Sequence, residues 1–187
     1  AFAREHGLYL EWGGAQHIPR DMATWRPADV AATNRRAASE AATLGVRVVR
    51  SCSGGLMRWK RESPPTEVLL AETADALRSQ RPMLRDHGVT LALETHFEFT
   101  SFELVRLMER SDAAPGDCLG IWLDTMNLLT MIEDPVAATR RLLPWVVSTH
   151  IKDGAALVDR AGLTTFPSAI GRGAIDLAAI IALVGTL

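Results

Sequence analysis

Short apolar segments alternate with longer amphipathic segments along the chain, and this alternation constrains the fold more than any other feature. Runs that predict buried strands cover residues 8–12, 46–52, 90–96, 119–124 and 145–152. Each run is separated from the next by a helical pattern, which predicts repeated βα units and a parallel sheet. No linker divides the 187 residues, so we expect one domain over residues 1–187 of α/β class.

Helix start and stop signals delimit the segments between the strands. Helices are predicted at residues 30–44, 66–87, 102–110, 135–143 and 174–184. Asp29 and Asp134 precede two of them as N-caps, and Gly45 follows the first as a terminator. Pro82 lies inside the second and longest of these segments, so we expect a kink or a break there.

Composition excludes several classes of function. The formal net charge is -2, and no basic patch suggests a nucleic-acid partner. No apolar run reaches the roughly 18 residues of a membrane-spanning helix, so no membrane partner is expected. Cys52 and Cys118 have no paired or metal-type spacing, which favours a cytoplasmic protein. Both cysteines are expected to be small buried hydrophobic residues rather than reactive thiols.

Three residues with metal-binding side chains lie at or near the C-terminal ends of consecutive predicted strands. Glu94, Asp124 and His150 all fall on the more polar face of their strands by the two-residue alternation. Alone, each would more often cap a helix or form an ion pair. Together, at the ends of parallel strands, they predict a site for a divalent cation, because buried polar groups must be paired or coordinated.

Around these residues, the segments LGVRVVR, GVTLALETH, LGIWLDTMN, STHIKD and IGRGAIDL resemble the xylose isomerase-like TIM-barrel superfamily. This superfamily includes sugar-phosphate isomerases and epimerases and metal-dependent DNA-repair endonucleases. The resemblance implies a (β/α)8 barrel, here incomplete, with strands 3 to 7 visible and strands 1, 2 and 8 missing. We therefore expect flanking residues or a partner chain to supply the missing strands.

The family resemblance also implies a ligand set of a Glu, an Asp, a His and a second Glu. The first three correspond to Glu94, Asp124 and His150. The fourth would come from the eighth strand, beyond Leu187. The implied cofactor is one divalent metal ion, with Mn favoured and Mg, Co or Zn as alternatives.

The sequence departs from the family pattern at two places, and the second argues against the endonuclease branch. Asn127 stands where the family often has a His three residues after the Asp ligand. Thr165 and Pro167 stand where the endonuclease branch has an Asp and a His that bind further metal ions. Neither residue is a plausible ligand, so a multi-metal nuclease site is not expected.

Further candidate residues follow from position and from the resemblance. Glu94 and His96 share a strand face and are expected to transfer protons, although His96 could instead be a hydrogen-bonded core residue. Lys152 shares the face of His150 and could hold a carboxylate or enolate oxygen, with an ion pair to Asp153 as the alternative. The residues expected to contact the substrate are Glu11, Asn127 and Arg172.

The resemblance implies a metal-dependent isomerase or epimerase that acts on a keto sugar through an enediolate. A decarboxylase or lyase on a 3-oxo sugar acid or 3-oxo glycoside could use the same metal site, since "ETHFEF" and "HIKD" are similar to that branch. A non-catalytic sugar-binding barrel is the third alternative. The expected partner is a small carbohydrate, and a homo-oligomer remains open.

Overall fold

The computed structural model describes residues 2–53 and 56–187, and its centre is a five-stranded parallel sheet. The strands are β1 (Trp12–Ala15), β2 (Val48–Ser51), β3 (Thr90–Glu94), β4 (Leu119–Asp124) and β5 (Val146–His150). They are neighbours in chain order, and every pairing is parallel. The predicted α/β class with a parallel sheet is confirmed. All five C-terminal strand ends therefore lie at one edge of the sheet.

Helices connect the strands. They are α1 (Phe2–Glu5), α2 (Val30–Leu44), α3 (Thr66–Asp86), α4 (Ser101–Arg110), α5 (Thr125–Thr130), α6 (Pro135–Leu142) and α7 (Leu177–Val184), with 3-10 turns at Leu56–Trp59 and Leu143–Trp145. Asp29 caps α2 by accepting hydrogen bonds from two backbone amides, and Gly45 ends it with a φ of 73°. Among the described residues, no helix is long and apolar enough to cross a membrane.

The two faces of the central strands have different roles. Leu91 and Leu93 of β3, with Ile121 and Leu123 of β4, belong to the main hydrophobic cluster that also contains buried leucines of α3 and α4. The opposite face carries Glu94, Asp124 and other residues outside that cluster. The alternation predicted from the sequence is therefore confirmed. Aliphatic side chains pack against the helices, and the polar groups share the other face.

The first strand was predicted wrongly. Residues 8–12 overlap β1 only at Trp12, and Leu8, Tyr9 and Leu10 are exposed. The backbone of Trp12 and Ala15 is the part that pairs with β2, so the preceding apolar run has no partner strand. Strands β2, β3 and β5 also end before the predicted residues 52, 96 and 152, because pairing stops where the chain turns into the loops.

A hairpin was missed between β5 and α7. Strands β6 (Asp153–Asp159) and β7 (Gly162–Ser168) are antiparallel and pack against the short helix α5, which was also not predicted. The last helix begins at Leu177 instead of residue 174, because Asp176 caps it through the amide of Ala179.

Two smaller expectations also need correction. Helix α3 continues through Pro82 without a break, so of the two expectations the break is wrong and the kink stays a prediction. Cys118 is buried as expected. Burial raises the pKa of its thiol most, and the nearby Asp117 charge raises it further. Cys52, in contrast, is only half-buried.

Candidate metal centre

Three side chains converge at the C-terminal edge of the sheet. The strand register places Asp124 beside His150, and Glu94 lies at the end of the adjacent strand β3. The ligand-type atoms of Glu94, Asp124 and His150 all lie within 4.8 Å of one another. His150 Nδ1 is 3.1 Å from Asp124 Oδ2 and 3.4 Å from Glu94 Oε1. The structure thus brings the predicted triad together, and metal binding by it remains a prediction.

The two carboxylates of this triad are buried, with Glu94 4% exposed and Asp124 0% exposed. Asp124 Oδ1 caps α5 by accepting hydrogen bonds from the amides of Met126 and Asn127, each at 3.1 Å. Its Oδ2 accepts no hydrogen bond of acceptable geometry, although Lys152 Nζ lies 2.7 Å away. Lys152 supplies one positive charge there, and the Glu94 carboxylate and the His150 imidazole add oxygen and nitrogen donors of the kind that a divalent metal binds. The donor set therefore fits a divalent metal.

Two basic residues flank the triad. Lys152 approaches Asp124 and donates to Asn127 Oδ1 at 3.2 Å. The alternative ion pair with Asp153 is wrong, because the Asp153 carboxylate accepts backbone hydrogen bonds instead. On the other side, Arg50 Nη1 lies 3.3 Å from Glu94 Oε2.

Arg50 was missed by the sequence reasoning, although a signal was available. Arg50 pairs in register with Ala92, two residues before Glu94, so it shares the polar strand face. An arginine at that parity in an otherwise apolar strand marks a residue that faces the site.

His96 lies in the loop after β3, next to the buried Glu98. His96 Nδ1 is 3.3 Å from Glu98 Oε2, and Glu98 is 4% exposed. Burial lowers the pKa of His96, but the contact with Glu98 and the charges of Glu94 and Asp124 outweigh it, so the net pKa is raised. Glu98 was not predicted, because its parity was not interpretable beyond the end of the strand.

The three residues predicted to contact the substrate lie in different environments. Glu11 accepts a hydrogen bond from Ser148 Oγ at 3.2 Å and lines a cavity of about 330 Å³ with Arg50 and His150. Asn127 is buried beside Lys152. Arg172 is exposed in the turn before α7, and within the described residues its side chain makes no hydrogen bond or ion pair with the triad. The structure thus places Glu11 and Asn127 near the triad, and the substrate contact of Arg172 stays a prediction.

Residues 2–186 match the Xylose isomerase-like TIM barrel family, and the chain belongs to it. The resemblance seen in the sequence is confirmed at this level. The five parallel strands are part of the barrel that defines the class.

One curated relative and several solved structures are similar to this chain at low identity. The "Uncharacterized protein YihM" of Escherichia coli K12 is 26% identical over 113 residues, which is 60% of this chain and 34% of that protein. A magnesium complex of a xylose isomerase-like TIM barrel protein from Mycobacterium smegmatis superposes with a TM-score of 0.75 at 18% identity, over 98% of this chain and 65% of that chain. A D-allulose 3-epimerase from Methylomonas sp. superposes with a TM-score of 0.72 at 16% identity, over 98% and 62%. The chain thus spans only part of the length of each relative.

Proposed function

We propose that the protein is a metal-dependent isomerase or epimerase of a keto sugar or sugar derivative. The observation that carries the proposal is the convergence of Glu94, Asp124 and His150, whose ligand-type atoms lie within 4.8 Å of one another. The magnesium complex and the 3-epimerase among the related structures support this class of reaction. The substrate we propose is a small carbohydrate, and the location we propose is the cytoplasm.

The triad would hold one divalent ion. Its mixed oxygen and nitrogen donors suit Mn, Mg, Co or Zn, and we favour Mn. When bound, such an ion polarises a carbonyl and an adjacent hydroxyl and stabilises an enediolate.

The residues around the triad supply the remaining functions. Glu94 and His96 are positioned to move a proton to or from the carbon next to the carbonyl. Asn127 would bond a substrate hydroxyl, and the partly exposed Lys152 ammonium beside Asp124 would hold an oxygen that gains negative charge. Each role needs a side chain at the same edge of the sheet, and the positions of these four residues at or after the ends of β3, β4 and β5 support the proposal.

One observation favours the alternative, a decarboxylase or lyase on a 3-oxo sugar acid. Arg50 and Lys152 approach the triad from opposite sides. A divalent ion would neutralise the charges of Glu94 and Asp124 and leave both basic side chains without a full counterion. A substrate with its own carboxylate would then balance them.

The proposal is tested by metal analysis together with turnover of neutral keto sugars and 3-oxo sugar acids. We expect about one divalent ion per chain. Asp124→Asn and His150→Ala each remove a direct ligand. Each should weaken metal affinity by more than the roughly 10–100-fold that is typical when a residue hydrogen-bonded to a ligand is lost. Asp86→Asn and His6→Ala are matched controls at exposed positions. Unchanged metal affinity in both triad variants would refute the proposed centre.

A further inference from the structure

A second group of metal-type donors lies beside the triad. Cys52 follows β2, and His96 and Glu98 follow β3, so this donor cluster is formed by two neighbouring strand ends. One ligand-type atom from each of the three residues lies within 4.8 Å of the other two. None of the three belongs to the triad of Glu94, Asp124 and His150.

Two buried atoms of the donor cluster lack hydrogen bonds. Glu98 Oε1 and His96 Nδ1 are both inaccessible to solvent and have no hydrogen-bond partner among the described residues. Glu98 as a whole is 4% exposed. Buried polar atoms of this kind normally find a partner, so Glu98 Oε1 and His96 Nδ1 are candidates to bind one.

The distance between His96 Nδ1 and Glu98 Oε2 is the one expected for two ligand atoms bound to the same ion. His96 Nδ1 and Glu98 Oε2 are 3.3 Å apart, which is longer than the roughly 2.7–2.9 Å of a charge-assisted hydrogen bond. Bonds of about 2.0–2.1 Å from a tetrahedral zinc ion to nitrogen and oxygen place those two atoms about 3.3 Å apart.

Arg58, which contacts the backbone of Glu98, does not neutralise its carboxylate. The Arg58 guanidinium lies 2.7 Å from Glu103 Oε2 and donates to the backbone carbonyl of Glu98 rather than to its carboxylate. The one ion pair of Glu98 in the described part of the chain is the long contact with His96. A buried carboxylate without a lysine or arginine partner calls for another cation.

We propose that Cys52, His96 and Glu98 bind a second divalent cation of borderline softness, such as Zn²⁺. Binding would convert the Cys52 thiol to a thiolate with release of one proton, and thiolate and carboxylate would then balance the two positive charges. The sulfur ligand separates this site from the triad, whose oxygen and nitrogen donors also accept Mn²⁺ or Mg²⁺. This site goes beyond the proposed function but shares His96 with it: a His96 that binds the second ion through Nδ1 has only Nε2 left for proton transfer.

Titration of the metal-free full chain with Co²⁺, under anaerobic conditions, tests the proposal by absorbance. A thiolate ligand gives a thiolate-to-cobalt charge-transfer band that oxygen and nitrogen ligands do not give. We expect this band in the wild type and in Cys118→Ser, and its loss in Cys52→Ser. Glu98→Gln keeps the side-chain shape and should weaken the cobalt affinity read from the band by at least roughly tenfold.

The triad variant Asp124→Asn separates the two sites. Asparagine still caps α5, so the fold is retained and the band should persist while the triad loses its ion. Absence of the band in the wild type would overturn the proposal, as would a band that Cys52→Ser leaves unchanged.

Discussion

At the scale of single residues, the region around the candidate metal centre is distinguished by how much charge it buries. Glu94, Glu98 and Asp124 are each 4% exposed or less, and His17 is 1% exposed. Buried ionisable groups with specific partners are typical of functional sites. Their energetics lead to two predictions, one on activity and one on stability.

His96→Gln should lower kcat more than it raises KM. A positioned proton-transfer group typically contributes about 10²–10⁴-fold in rate, and His96 lies two residues beyond Glu94 with its imidazole among three carboxylates. Steady-state kinetics on the substrate found in the screen measure the effect, with His87→Gln as the control. Normal kcat with reduced thermal stability would show that His96 is a core residue, the alternative left open by the sequence.

His17 should make the protein less stable in mild acid. Burial lowers the pKa of His17 to about 4, partly offset by the charges of Glu98 and Glu94, and its Nδ1 contacts Ser51 Oγ at 2.9 Å. The unfolded chain binds the proton more tightly, so the neutral imidazole contributes fully above pH 6.5. The contribution falls as the pH drops from about 6.5 to about 4, by about 3 kcal/mol in all.

Urea unfolding with chelator at pH 7.5 and pH 5 measures this dependence. We expect the difference between wild type and His17→Gln to shrink at pH 5, whereas His6→Gln should follow the wild type. The comparison between variants is needed because the raised pKa of His96 acts in the opposite direction. A difference that does not vary with pH would contradict the prediction.

At the scale of elements, the missed hairpin packs against α5 and is further held at its base by one carboxylate. The Asp153 side chain accepts hydrogen bonds from the amides of Gly171, Gly173 and Gly154 at 2.8–2.9 Å, and a longer one from Ile175. The hydrogen bond from Gly173 lowers the pKa of Asp153 most, and the other backbone hydrogen bonds lower it too. Together they outweigh burial, which raises it. This clamp joins the start of β6, directly after Lys152, to the turn before α7.

Gly173→Ala should destabilise the protein through this clamp. A Cβ at residue 173 would overlap the Asp153 carboxylate and the Gly154 carbonyl oxygen. Overpacking of this kind typically costs about 1–3 kcal/mol. Gly13→Ala is the control, since no atom lies within 4 Å of its Cβ position. Equal unfolding free energies for the two variants would show that the clamp is not rigid.

At the scale of the whole molecule, charge and the hairpin together argue against a nuclease. The net charge of -2 offers little attraction to a phosphate backbone. Thr165 lies on β7, where its hydroxyl contacts that of Thr130, and Pro167 pairs with Gly154 in the hairpin. Neither position can provide the ligand of the endonuclease branch.

We therefore predict that the purified protein does not cleave DNA at abasic sites. An abasic duplex incubated with Mn²⁺, Mg²⁺ or Zn²⁺ and analysed by denaturing gel electrophoresis should remain intact. Metal-dependent nicking that disappears in Asp124→Asn would contradict the prediction, because the activity would then come from the triad.

Strand order, face alternation and the meeting of Glu94, Asp124 and His150 could be predicted from the sequence by itself. These properties depend on local periodicity and on parallel βα connections, which bring C-terminal strand ends to one edge. Only the tertiary structure decided that Lys152 approaches Asp124 rather than Asp153. The strand face of Arg50 could be predicted from the sequence, but its contact with Glu94 could not. The tertiary structure alone also revealed the hairpin clamp and the cluster of Cys52 with His96 and Glu98. They join loops distant in sequence, where no periodicity constrains side-chain direction.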